Sequence, residues 1–177
     1  MDLSRRPQND IDVFSYQCDY VAKVPEGDIL QTLERQLKAI PGFIRNIPED
    51  AFEAIHPPYG WTIRTVIEHC CDAERVFGYR TLRFATGDNV ELPGWDENYY
   101  ASCGYAGQGT ASDLADEFHA SRFSNLLLLK RLKASAWDRF GSANGMRSTP
   151  RTQAWLMAGH WLHHEHILRR RLGIDAV

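Results

Sequence analysis

Cysteine is sparse in this chain. Its 177 residues contain four, Cys18, Cys70, Cys71 and Cys103, and no C-x-x-C pair. That speaks against a zinc ribbon or a thioredoxin-type dithiol, and free thiols of this kind fit a reducing cytosol. No apolar run approaches the roughly 18 residues of a membrane span. The opening Met1-Asp2-Leu3-Ser4-Arg5-Arg6-Pro7 is polar and no apolar stretch follows it, which argues against a secretory signal. An excess of basic charge is also missing. The net charge is −3, so the molecule as a whole has no field to attract nucleic acid. The run Arg169-Arg170-Arg171 falls in the last turn of an expected helix, where cations favour the negative end of the helix dipole. G-x-S-x-G, a P-loop and G-x-G-x-x-G are all absent.

What remains is an ordinary globular composition, 44% hydrophobic and 24% charged, and a length that suits one domain over residues 1–177. Alternating strand patterns, internal repeats and linkers are lacking, whereas helical patterns are plentiful. Residues 1–25 read as irregular, with Phe14, Tyr16 and Tyr20 available for packing. Asp28 is a credible N-cap for a helix carrying Ile29, Leu33, Leu37, Ile40 and Ile44. Pro41-Gly42 should kink or split that helix. A second helix opens at Trp61-Thr62 and ends near Thr86-Gly87. About 24 residues rich in Gly, Pro, Asn and Asp follow, longer than the ~12–15 usual for an unstructured connection. A third helix starts near Ser112-Asp113, and Leu126 to Leu129 suggest deep burial. After a turn over Gly141–Thr149, Pro150 opens the fourth helix at the position where proline is tolerated. The expected fold is therefore all-α, a four-helix bundle with one long crossover loop between helices 2 and 3. In such bundles, metal sites form between facing helices.

The fourth helix carries His160 and His164. Four residues apart on a helix they share a face and form a bidentate chelate. His69 lies inside the second helix. Three protein ligands and an open position are what a catalytic zinc-type site needs. His163, about 60° off the 160/164 axis at ~100° per residue, is an alternative ligand. His166 points further round, and nothing patterned surrounds His56 or His119. The carboxylate base of a zinc peptidase is not built into this helix: H-E-x-x-H would need Glu where Trp161 stands, and H-x-x-E-H would need it at His163.

Four segments together resemble the DinB-like superfamily of metal-binding four-helix bundles. They are Phe14–Leu30, Gly60–Arg80 with His69 in it, Leu92-Pro93-Gly94-Trp95-Asp96-Glu97-Asn98-Tyr99, and Ala158-Gly159-His160-Trp161-Leu162-His163-His164. The resemblance implies an up-and-down bundle, a divalent metal on His69, His160 and His164, and a homodimer. Some members resemble transferases or isomerases that use a low-molecular-weight thiol. Cys70-Cys71 depart from the family pattern, since small or aliphatic residues are expected there; buried, they would be inert.

The expected function is a metal-dependent enzyme, a thiol S-transferase or hydrolase, acting on a small-molecule substrate. One divalent ion, zinc or nickel, would activate a thiol or water. Asp72 would accept a proton or orient an imidazole, and Arg80 would bind an anionic group of the substrate. The loop Leu92–Tyr100 would form the pocket rim, with Trp95 and Tyr99 as its apolar wall. The alternative is a non-catalytic bundle stapled by metal, serving partner binding or a stress response. No nucleic-acid or membrane partner is expected, and the compartment is the cytoplasm.

Overall fold

The computed structural model of the protein describes residues 2–8, 13 and 15–174. Seven α-helices are described: α1 (Ser15–Lys23), α2 (Ile29–Arg45), α3 (Glu49–Phe52), α4 (Ile63–Thr86), α5 (Glu97–Ser102), α6 (Ala111–Lys130) and α7 (Pro150–Arg171). A hairpin of β1 (Gly141–Ala143) and β2 (Met146–Ser148) precedes α7. The long helices α2, α4, α6 and α7 form the bundle. Among the described residues, no helix is long and apolar enough to cross a membrane.

Local chemistry sets the helix ends. The Asp28 carboxylate accepts from Leu30 N at 2.8 Å and Gln31 N at 3.2 Å, starting α2. Thr62 caps α4 through Thr65 N, and Gly87, with φ of 79°, ends it in the left-handed conformation. Thr110 and Asp113 close a capping box on α6. Thr149 caps α7, with Pro150 in its first turn.

Several expectations need correction. Ser15–Lys23 is helical, too short to show its period alone and held by packing on α7. Phe14 and the side chain of Tyr16 lie outside the described residues. Helix α2 runs without a break through Pro41-Gly42. Interior proline costs about 3 kcal/mol, which burial of Ile40, Pro41 and Ile44 offsets. Of the run Leu126 to Leu129 in α6, only Leu126 and Leu129 are buried, while Leu127 is 51% exposed, because i and i+3 share a face and i+1 does not. The turn at Gly141–Thr149 is a hairpin closed by Asn144-Gly145, both at positive φ, as a two-residue primed turn requires. Its three-residue strands are too short to show alternation.

The direction of the helices is the main correction. Pairs of facing residues give it: Arg45 with Asp116 and Lys130 with Glu34 make α2 and α6 antiparallel. Cys71 with Leu114, Glu74 with Arg122 and Glu74 with Asn125 make α4 and α6 parallel. Arg171 at the end of α7 bonds to Trp61 O before the start of α4, so those two are antiparallel. The sequence is up, down, down, up, and not the strict up-and-down alternation expected. The long crossover between α4 and α6 is where it was expected, and the parallel pair explains its length, since the chain must return the full length of the bundle.

A buried polar layer crosses the middle. Arg122 is fully buried and pairs with both Glu74 oxygens at 2.9 and 2.6 Å. It also donates to Gln36 Oε1 at 2.7 Å and to Met157 O at 2.9 Å. Asn125 adds a bond to Glu74, and Gln36 donates to Ala158 O at 3.0 Å. All four long helices are thereby joined at one level. An apolar cluster with Leu33, Phe77 and Trp155 lies on one side, and another with Ile44, Ile67 and Trp161 on the other.

Helix α1 approaches α7 at Gly159, where an added Cβ would lie 2.0 Å from Tyr20 O. Gly159→Ala should therefore push α1 off α7 and cost about 1–3 kcal/mol. Urea unfolding checks this; a stability equal to the parent's would mean that α1 yields at no cost.

Candidate metal centre

Helix α4 supplies His69 from its buried face, and α7 supplies His160 and His164 one turn apart. The His69 and His160 Nε2 atoms are 2.9 Å apart, and those of His160 and His164 are 3.1 Å apart. All three ligand atoms fall within 4.8 Å of one another. Two nitrogens each ~2.0–2.1 Å from one zinc ion would lie roughly 3 Å apart or slightly more. The donor set thus fits a divalent ion, and no carboxylate joins the cluster among the described residues.

The electrostatics agree. Burial, with His163 nearby, pushes His69 down to about 4. Burial and the neighbouring histidines hold His160 and His164 well below the ordinary imidazole range. The imidazoles are neutral at pH 7, the state in which they bind metal. At 2.9 and 3.1 Å the converging ring nitrogens are close enough to share a proton, the place that a cation would take. His69 Nδ1 is buried without a hydrogen-bond partner among the described residues.

Aromatic rings enclose the centre. His69 lies between Trp61, at 5.2 Å, and Trp95, stacked at 5.4 Å and 10°. Tyr20 and Phe77 meet His160 edge-on at 5.6 and 5.7 Å. His163 sits beside the cluster, edge-on to Tyr20 and to His164.

A cleft of about 370 Å³ opens onto all three histidines; Arg80, Gly94, Trp95, Asn144, Met146 and Leu156 are among its walls. A second cavity of about 230 Å³, lined in part by Glu68, Asp72, Tyr100 and Tyr105, shares His69 and Trp95 with it. Trp95 therefore forms wall in both. Tyr99 is 64% exposed and lines neither, its place in the wall being taken by Tyr100. Arg80 lies in the main cleft. Asp72 lies in the side cavity, where Tyr105 donates to it and Arg75 pairs with it at 3.6 Å. Burial raises the proton affinity of Asp72 and of Glu68. Cys70 and Cys71 are buried, and burial pushes both thiols up, so they are inert at neutral pH. His56 accepts a bond from Arg171 and is not one of the clustered histidines. Sequence reasoning did not single out Trp61, Tyr105, Asn144 or Met146 for this site. They reach it through tertiary folding of loops and carry no periodic signal.

Fold and site define a helical bundle with an open three-histidine centre between two of its helices. A model of the DinB superfamily matches residues 32–168, and the chain belongs to that superfamily. Among solved structures, it is similar to YfiT from Bacillus subtilis, described as a probable metal-dependent hydrolase with an unusual four-helix bundle topology. That likeness has a TM-score of 0.66 at 16% identity and covers 96% of this chain and 95% of the other. No curated protein matches the chain.

Proposed function

We propose that the protein is a metal-dependent enzyme, a hydrolase or thiol S-transferase, with one zinc or nickel ion held by His69, His160 and His164. The observation that carries this reading is the convergence of three neutral imidazoles at the wall of an open cleft. A purely structural ion would be closed off by a fourth protein ligand. When bound, the ion would acidify a water or a low-molecular-weight thiol. The description of YfiT as a probable hydrolase is in keeping with water in that role.

The chain's own residues supply the rest. Phe77, Trp95, Met146 and Leu156 would hold the apolar body of a small-molecule substrate and exclude bulk water. Arg80 would bind an anionic group in the same cleft. Asp72, with its raised proton affinity, would accept a proton in the cavity behind His69.

The test is elemental analysis of the untagged protein beside a His69→Ala, His160→Ala, His164→Ala variant. About one metal per chain is expected in the parent, and none in the variant. A parent without metal after reconstitution with zinc and nickel would sink the reading. Given metal, ester and thiol-transfer substrates then separate the two reaction classes.

A further inference from the structure

We propose that Trp95 is the positioning residue of His69, so that the crossover loop holds one ligand by ring stacking. The proposal rests on the metal reading above. A ligating imidazole ordinarily donates its second ring N–H to a carboxylate, carbonyl or water, which fixes the rotation of the ring. His69 lacks that tether among the described residues: its Nδ1 is buried and has no partner. The carboxylate nearest in sequence on the C-terminal side, Asp72, is engaged by Tyr105 and Arg75. The contacts that restrain the ring are aromatic. The Trp95 indole lies parallel to it, at 10° and 5.4 Å, and Trp61 leans on it at 57° and 5.2 Å. A parallel ring resists rotation of the imidazole and leaves its in-plane lone pair directed at the metal position.

Trp95 can do this because the chain is fastened on both sides of it. Before it, Leu92 N donates to Ser142 O at 3.0 Å, and Asn144 N donates to Leu92 O at 2.9 Å. Gly145 N donates to Glu91 Oε1 at 2.6 Å. The Asn144 side chain packs so closely on Gly94 that an added Cβ would fall 2.6 Å from its Oδ1. After it, Asp96 caps α5 through Asn98 N and Tyr99 N, both at 3.0 Å. Tyr100 then meets the indole edge-on at 5.6 Å. A line of contacts therefore runs from the hairpin, through residues 91–94, to Trp95 and so to His69.

The experiment is a Co²⁺ titration of the untagged full chain, read by the metal's visible absorption and by competition with a chelator. Relative to the parent, Trp95→Ala should weaken Co²⁺ binding by ~10–100-fold and shift the absorption, and Trp95→Phe, which keeps a flat ring, should stay within ~3-fold. Trp95→Leu, which keeps apolar bulk without a ring, should behave like Trp95→Ala and serves if the alanine variant does not fold. Melting of the metal-free proteins is measured in parallel. A lowered melting temperature with unchanged Co²⁺ affinity and spectrum in both ring-less variants would overturn the proposal and leave Trp95 a mere pin for the loop. A parent that takes up no Co²⁺ would be a different result: it would remove the metal reading itself, and the positioning role with it.

Discussion

Replacing Arg122 by methionine is expected to cost about 3–5 kcal/mol, the range for removing one partner of a buried ion pair. The reason lies in what remains. Glu74 is 2% exposed and would be left in the core with Asn125 as its other bonding partner. Gln36 Oε1 and Met157 O would each lose a donor. Total stabilities of ~5–15 kcal/mol leave little reserve, and the melting temperature should fall by roughly 6–20 °C for a chain of this size. Urea unfolding measures the loss. The double variant Arg122→Met, Glu74→Leu should regain most of it, since replacing both charges by apolar groups of similar volume is often neutral. A loss below about 1 kcal/mol in the single variant would mean that the layer does not tie the helices together. Because Arg122 bonds to Met157 O, three residues before His160, the variant should also loosen metal binding.

Metal-free protein should lose stability as pH falls from about 6.5 towards 4. His69 has an ordinary value of 6.5 and a folded value of about 4. Across that window the unfolded chain binds a proton that the folded chain does not, so acid favours unfolding. This one group accounts for roughly 3 kcal/mol, and His160 and His164 act in the same direction. Glu68 and Asp72, whose folded values are raised, act the other way and offset part of the loss. Asp138, held down by Arg151, adds its own loss only below its ordinary value of 3.8. Melting curves of chelator-treated protein between pH 7.5 and 4.5 provide the check, with the zinc-loaded protein beside them. The stabilisation by zinc should be largest at the upper end of this range and fade as protons compete for the same nitrogens. A flat metal-free profile would show that the three histidines are not buried neutral.

How far the sequence could be read depends on the range of each signal. Caps and short-range periodicity are local, so Asp28, Thr62 and Gly87 marked helix ends well. His160 and His164 share one helix, and His69 lies on another apolar-periodic segment, so the three could be nominated before any fold was known. Arg122 could not, because an arginine inside a helix reads as surface until Glu74 and Gln36 arrive from two other helices. Helix direction was hidden for a related reason: the polarity of α6 depends on where a 24-residue crossover delivers the chain, and composition does not encode that. Tyr99 and Tyr100 were equivalent in sequence, and the ~100° between successive residues of α5 decided which of them faces the cavity.

The distance along the chain between the ligands has a consequence for synthesis. His69 and His160 are separated by 91 residues. At ~5–20 residues per second, α7 follows α4 from the ribosome by about 5–18 s. During that interval His69 has neither of its histidine neighbours, and the Arg122 side chain of the already completed α6 lacks the carbonyl of Met157. A metal ion met in this period would find a single imidazole and no chelate. The centre can therefore form only after α7 has docked, so a loaded site reports that the whole bundle has closed.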